Sequence, residues 1–126
     1  MGDTIRELTE EALAFRDARD WAQFHKPKDL ALGLSVEAAE LLECFLWKND
    51  AEVEAALSDP AFRERVADEA ADVQLFLLYL AHRARISLAD ATRGKLEKNG
   101  RKYPADRARG SAAKYTAYRD PPLAPG

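Results

Sequence analysis

Cysteine and histidine are scarce in this sequence, which holds Cys44, His25 and His82 and no others of either type. A single thiol cannot form an internal disulfide, and the position of Cys44 between Glu43 and Phe45 favours a small core residue over a catalytic thiol. Neither histidine follows a glutamate by three residues, so the Glu-x-x-His pairs of di-iron carboxylate bundles are missing. These absences exclude a disulfide scaffold and argue against a di-iron centre.

Excess positive charge is also lacking, because 19 Lys and Arg residues stand against 22 Asp and Glu residues and leave a net charge of −3. Such a balance provides no broad attraction for nucleic acid or for an anionic membrane. The most continuous apolar run, residues 73–81, is too short to span a membrane. The first residues lack a basic-then-apolar signal, so we expect a cytoplasmic protein without nucleic-acid or membrane partners.

The composition, 47% hydrophobic and 33% charged, is typical of a soluble globular protein, and 126 residues suffice for one core. Apolar residues recur at helical spacing along most of the chain, and no alternating strand pattern accompanies them. We therefore expect an all-α fold, a four- to five-helix bundle. It should form one domain over residues 1–116, followed by a flexible Pro-rich tail over residues 117–126.

Capping and stop signals give the approximate bounds of these helices. Thr4, Asp29, Asp59 and Ser87 are predicted helix caps, and Asn99-Gly100 is the predicted end of the fifth helix. The five predicted helices cover about residues 4–20, 29–47, 50–57, 60–85 and 88–99. The second helix is apolar on more faces than one neighbouring helix can cover, which predicts that the chain forms an oligomer.

Two acidic pairs, Glu37-Ala-Ala-Glu40 and Glu69-Ala-Ala-Asp72, lie within strongly apolar helical segments. A spacing of three residues places both members of a pair on one helical face. Carboxylates removed from water are costly unless they are paired or bind a cation. Four carboxylate groups brought together would suit Mg²⁺, with Mn²⁺ as an alternative ion.

A single Glu-x-x-Glu pair usually means no more than a solvated helix face. Here two copies occur, and no lysine or arginine lies three or four residues from Glu37 or Glu40 to neutralise them. At this point two interpretations stay open, a shared cation site and a pair of polar seams in a non-enzymatic helical oligomeric adaptor.

Longer patterns resemble the MazG-like superfamily of all-α nucleoside triphosphate pyrophosphohydrolases, and within it the dCTP pyrophosphatase branch. The two acidic pairs, separated by 28 residues, are similar to the metal-binding signature of that superfamily. The motifs that carry the resemblance to the branch are Arg19-Asp20-Trp21-x-x-Phe24-His25-x-Pro27-Lys28-Asp29-Leu30, Glu37-x-x-Glu40-Leu41-x-Glu43-x-Phe45-x-Trp47-Lys48, Lys98-Asn99-x-Arg101-Lys102-Tyr103-Pro104 and Ala108-Arg109-x-Ser111-x-x-Lys114-Tyr115.

The resemblance implies an enzyme that cleaves a nucleoside triphosphate between the α and β phosphates, releasing monophosphate and pyrophosphate. Glu37, Glu40, Glu69 and Asp72 would be its catalytic and Mg²⁺-binding residues. A metal-activated water would then attack without a nucleophilic side chain, in agreement with the lack of a Ser, Cys or His constellation.

The same resemblance implies which residues bind the nucleotide. Trp21, His25 and Trp47 would contact the base, although each tryptophan taken alone is more often a core residue. The cations at the end of the fifth helix would neutralise phosphate, although positive charge there also suits the helix dipole. The phosphate-side residues are Lys95, Lys98, Asn99, Arg101, Lys102, Ser111, Lys114 and Tyr115.

Two positions depart from the family pattern, because vertebrate members carry histidine in place of Ala12 and tyrosine in place of Phe76. Base preference therefore stays open between dCTP or modified dCTP on one side and dUTP or a broad NTP range on the other. The resemblance also implies a homotetramer in which neighbouring chains complete each active site, and a role in cleaning the nucleotide pool.

Overall fold

Helices make up the regular structure of the chain in a computed structural model that describes residues 4–113. Within this range lie a short 3₁₀ turn, Ala22–Phe24, six α-helices and no strand. The helices are α1 (Ile5–Asp17), α2 (Pro27–Glu43), α3 (Asp50–Ala56), α4 (Pro60–Arg83), α5 (Leu88–Lys102) and α6 (Ala105–Ala108). The predicted all-α class is confirmed, whereas the predicted tail over residues 117–126 lies outside the described residues.

Polar caps start several of these helices as the sequence predicts. The Thr4 hydroxyl accepts the Glu7 amide at 3.1 Å, and the Asp59 carboxylate accepts the Ala61 amide at 3.1 Å. Pro60 follows as the first residue of α4, where its missing amide hydrogen costs nothing.

The prediction that Asp29 caps the second helix is wrong. Lys26 occupies the N-cap position with an extended backbone, and Pro27 is the first helical residue. Proline suits that position because its backbone angle already matches a helix. Asp29 therefore lies inside the first turn of α2, and its carboxylate accepts no backbone hydrogen bond among the described residues.

Two predicted helix ends are also wrong. α2 ends at Glu43, and the chain then turns to reach Trp47, whose φ of 66° is incompatible with a continuing helix. α5 passes through Asn99-Gly100 and ends at Lys102, because Gly100 does not adopt the left-handed conformation that stops a helix. The stop comes instead from Pro104, which disfavours helical geometry at the residue before it.

α4 packs along α2 and, over a smaller area, against α1. The Tyr79 hydroxyl on α4 donates to the Ala12 carbonyl on α1 at 3.0 Å and ties these two helices together. Cys44 is fully buried, as the sequence predicts, and its thiol lies 3.8 Å from the Glu40 carbonyl. The fully or nearly buried apolar side chains are Ala12, Leu30, Cys44, Leu78 and Ala81.

The chain divides into two compact units, residues 1–87 and residues 88–126. The first unit contains α1 to α4, and the second contains α5 and α6. Among the described residues, every helix is too short or too polar to cross a membrane.

Candidate metal centre and nucleotide pocket

Three of the four predicted carboxylates converge where α2 packs on α4. One carboxylate oxygen from each of Glu37, Glu40 and Glu69 lies within 4.8 Å of the other two, and all three side chains are half-buried. Asp72 is exposed and stands outside this triad, although its charge reaches both Glu37 and Glu69. The structure thus gathers Glu37, Glu40 and Glu69 tightly and keeps Asp72 at the edge.

The electrostatics of this triad show that its charges are not balanced by the protein. Burial, a hydrogen bond with Glu40 and the neighbouring carboxylates raise the pKa of Glu37 to about 7. Burial and the Glu40 carboxylate also raise the pKa of Glu69, and Arg65 opposes that effect only in part. Without a bound cation, a substantial fraction of Glu37 therefore keeps its proton near neutral pH.

Two oxygens of the triad have no partner among the described residues. Oε2 of Glu37 and Oε2 of Glu69 are buried from solvent and accept no hydrogen bond. Buried polar oxygens are normally satisfied, and a hard divalent cation satisfies carboxylate oxygens particularly well. The donor set, the repulsion and the unsatisfied oxygens all fit Mg²⁺ or Mn²⁺.

A cavity of about 260 Å³ opens between the 3₁₀ turn, α2 and α4. Four of its lining residues are apolar or aromatic, and two, His25 and Asp29, are polar. The complete lining is Trp21, Phe24, His25, Asp29, Leu30 and Phe76. The cavity can accept a flat heterocyclic ring, because such a ring stacks on aromatic side chains and uses a few polar groups for orientation.

The cavity and the carboxylate triad are joined through the α2–α4 contact. Gly33 precedes Glu37 by one helical turn, and Phe76 follows Asp72 by one turn. A Cβ atom at Gly33 would lie only 2.3 Å from Cε1 of Phe76, so the ring rests directly on the α2 backbone. The missing side chain at Gly33 therefore lets the Phe76 ring pack on α2 while it lines the cavity.

The imidazole ring of His25 is held by aromatic packing, whereas the backbone amide of His25 donates to the Ala22 carbonyl at 3.1 Å. Its ring lies 4.5 Å from the Tyr79 ring, and its Nδ1 atom is buried without a partner among the described residues. Burial and the nearby Arg16 guanidinium lower the pKa of His25, which keeps the imidazole neutral at physiological pH. A neutral ring presents one donor and one acceptor to a ligand.

The two tryptophans differ in their surroundings. Trp21 is half exposed and packs edge-on against Phe15 at a centroid distance of 5.9 Å. Trp47 is 97% exposed, so it is not a core residue of the single chain, and it does not line the cavity beside Trp21. Ala12 also stands outside that cavity and lines a second one of about 370 Å³ between α1 and α4.

The predicted phosphate residues lie in the second unit. Lys95, Lys98, Arg101 and Lys102 project from exposed positions of α5, and Asn99 is half-buried there. Lys95 and Asn99 border a shallow depression of about 280 Å³. Ser111 follows α6, where its hydroxyl accepts the Ala113 amide at 3.1 Å. The remaining two predicted residues, Lys114 and Tyr115, lie outside the described residues.

Sequence reasoning missed the pocket role of Asp29 and the influence of Arg16 on His25. The sequence predicts a capping role for Asp29, although Pro27, two residues earlier, signals that the helix begins sooner. No sequence pattern predicts that Arg16 lies near His25, because this proximity arises from the turn that follows α1. Its guanidinium is also paired with Asp17 at 2.8 Å.

Comparisons with known proteins show which family the chain resembles. The profile of the MazG-like family matches residues 32–117. The chain is 39% identical to dCTP pyrophosphatase 1 of Bos taurus over 113 residues, which cover 90% of this chain and 67% of that protein. It is 40% identical to dCTP pyrophosphatase 1 of Homo sapiens over 113 residues, covering 90% and 66%. The chain thus spans about two thirds of the length of these curated relatives.

A solved structure, that of a pyrophosphatase from Archaeoglobus fulgidus DSM 4304, shares the helical fold. Its TM-score with this chain is 0.74 at 40% identity, and the match covers 82% of this chain and 95% of the archaeal one. Because the family profile covers more than half of the sequence and this pyrophosphatase has the same fold, the chain belongs to the MazG-like family.

Proposed function

We propose that this protein is a cytoplasmic, Mg²⁺-dependent pyrophosphatase that converts dCTP or modified dCTP to the monophosphate and pyrophosphate, and so removes unwanted nucleotides from the pool. Its enzyme class, a hydrolase of the nucleoside triphosphate diphosphatase type, follows from its family and from its similarity to dCTP pyrophosphatases. The observation that carries the metal-dependent part is the convergence of Glu37, Glu40 and Glu69 with two unsatisfied buried oxygens.

In this proposal Glu37, Glu40, Glu69 and Asp72 hold the cation. Bound Mg²⁺ would polarise the α-phosphate and lower the pKa of the attacking water. The contribution of the protein is to hold the carboxylates close together before substrate arrives, through the α2–α4 contact. A carboxylate of this set also accepts a proton from the water, so that no nucleophilic side chain is required.

The base is proposed to enter the cavity lined by Trp21 and His25, where the half-exposed ring of Trp21 offers a stacking surface. The Trp47 ring lies almost wholly in solvent. We propose that it stacks on a nucleotide base bound by a neighbouring chain or by its own chain. Preference for dUTP or for a broad NTP range is the alternative, since Phe76 brings no hydroxyl to this cavity.

The cationic and polar residues of the second unit are proposed to bind the triphosphate. Exposed lysine and arginine side chains neutralise phosphate oxygens through charge-assisted hydrogen bonds. The proposed phosphate ligands are Lys95, Lys98, Asn99, Arg101, Lys102, Ser111, Lys114 and Tyr115.

A homotetramer is proposed because α2 leaves large apolar side chains in solvent. Leu32, Val36 and Leu42 are each more than half exposed, although they belong to a helix that also packs on α4. Apolar surface of this kind on one helix is typical of an interface between subunits. Light scattering should report about four times the 14.0 kDa chain mass, and a monomer would contradict the assembly.

The decisive experiment is a panel of canonical and modified NTPs and dNTPs with Mg²⁺, scored for pyrophosphate against phosphate. Pyrophosphate release that requires the metal is the expected result, whereas a non-enzymatic adaptor would release none. Glu40→Gln and Asp72→Asn should abolish turnover while circular dichroism stays unchanged. The matched control is Glu54→Gln on the exposed surface of α3, which should keep full activity. Full activity in both site variants would overturn the metal-site assignment.

A further inference from the structure

We propose that Asp29 selects the base, by accepting a hydrogen bond from the exocyclic amino group of cytosine and by repelling the corresponding carbonyl oxygen of uracil. This inference rests on the proposed function, because it assigns a selecting residue within the cavity beside Trp21. It makes the chain a pyrophosphatase for amino-bearing pyrimidines rather than one for keto-bearing pyrimidines.

The cavity gives Asp29 a position from which to act. Among the described residues that line the cavity, Asp29 supplies the only carboxylate, beside four apolar or aromatic residues and the neutral His25. A charged group in a largely apolar pocket contributes strongly to the recognition of a polar ring edge, and the other polar ring nitrogens of this lining belong to Trp21 and His25. A volume of about 260 Å³ accommodates a pyrimidine ring together with this contact.

The carboxylate of Asp29 is also uncommitted within the protein. It joins no ion pair and accepts no hydrogen bond among residues 4–113, and it does not cap α2. Carboxylate oxygens accept hydrogen bonds, so we assign Asp29 the role of an acceptor in recognition.

An acceptor of this kind separates the two pyrimidines by chemistry rather than by size. The amino group of cytosine donates hydrogen bonds, whereas uracil carries an acceptor oxygen at the same position. A carboxylate facing that position gains a bond with cytosine and meets repulsion with uracil. Discrimination from one such contact is about 10- to 100-fold.

The test compares kcat/KM for dCTP and dUTP in the wild type and in Asp29→Asn. An asparagine side chain can donate as well as accept, so the dCTP-to-dUTP ratio should fall by about 10-fold or more, with turnover of dUTP rising. Asp50→Asn is the matched control, because it removes an exposed carboxylate from the first turn of α3. It should leave the ratio unchanged, and any loss of helix stability should be similar in both variants.

Two results would overturn the assignment of Asp29. One is an unchanged ratio in a folded, active Asp29→Asn variant, and the other is equal turnover of dCTP and dUTP by the wild type. A wild type that releases pyrophosphate from no nucleotide would instead contradict the proposed function. In that event, calorimetric affinities of the wild type and the variant for dCMP and dUMP still decide the role of Asp29. A wild-type preference for dCMP that Asp29→Asn loses would support this role. The lack of such a preference in the wild type would refute it.

Discussion

Replacing Gly33 by alanine should destabilise the protein, against the usual effect of removing a glycine from a helix. The added Cβ would lie 2.3, 2.7 and 2.8 Å from Cε1, Cζ and Cδ1 of Phe76. Carbon atoms pack best at about 3.5–4.0 Å, so the ring must withdraw by roughly 1 Å or more. The ring also lines the cavity beside Trp21, and its displacement should therefore weaken nucleotide binding.

The magnitude follows from two opposing effects. Overpacking of this kind costs about 1–3 kcal/mol, whereas removal of glycine from a helix interior contributes about 0.5–1 kcal/mol of stability. The net destabilisation is therefore about 0–2.5 kcal/mol, with a central value of about 1 kcal/mol. Gly94 provides the matched control, because it lies inside α5 and a Cβ there would meet no atom within 4 Å. Gly94→Ala should stabilise its helix by about 0.5–1 kcal/mol.

Urea denaturation followed by circular dichroism measures both variants, and KM for the best nucleotide reports on the cavity. Adding Phe76→Leu to Gly33→Ala should recover much of the loss caused by the alanine, since a smaller side chain no longer meets the new Cβ. The reasoning would be refuted if Gly33→Ala were as stabilising as Gly94→Ala and left KM unchanged.

Two further predictions concern charge and backbone. The raised pKa of Glu37 means that the folded, metal-free protein binds a proton that the unfolded chain has released between about pH 4.5 and 7. Stability without Mg²⁺ should therefore fall as pH rises through that window, and Glu37→Gln should remove about 1 kcal/mol of this loss after screening by solvent. Melting curves of both proteins at pH 4.5 and 7.5 with EDTA measure this pH dependence. An identical pH dependence in the wild type and the variant would contradict the prediction. Trp47→Gly should leave folding intact or raise stability by about 1 kcal/mol, because the residue is exposed and its φ of 66° suits glycine, and it should lower nucleotide affinity. A melting curve measures the stability, and a calorimetric isotherm measures the affinity. A large loss of stability would show that the ring is structural.

The sequence by itself determined the helical class and the pairing of carboxylates. Helical periodicity and caps are local properties, so the starts of α1 and α4 could be read from Thr4 and from Asp59-Pro60. A three-residue spacing likewise places Glu37 beside Glu40 whatever the rest of the chain does. Helix ends were less predictable, because Asn99-Gly100 can either stop a helix or continue it, and the choice depends on the backbone angle that packing allows.

Only the tertiary structure decided which helices pack together and how this packing changes the pKa of the carboxyl groups at their contact. The packing of α2 on α4 brings Glu69 to Glu37 and Glu40 and leaves Asp72 at the edge, and the resulting repulsion and burial raise the pKa of Glu37. The same packing places Asp29 in the wall of the cavity beside Trp21. These properties depend on distances between segments far apart in the chain, and no local pattern of residues encodes such distances.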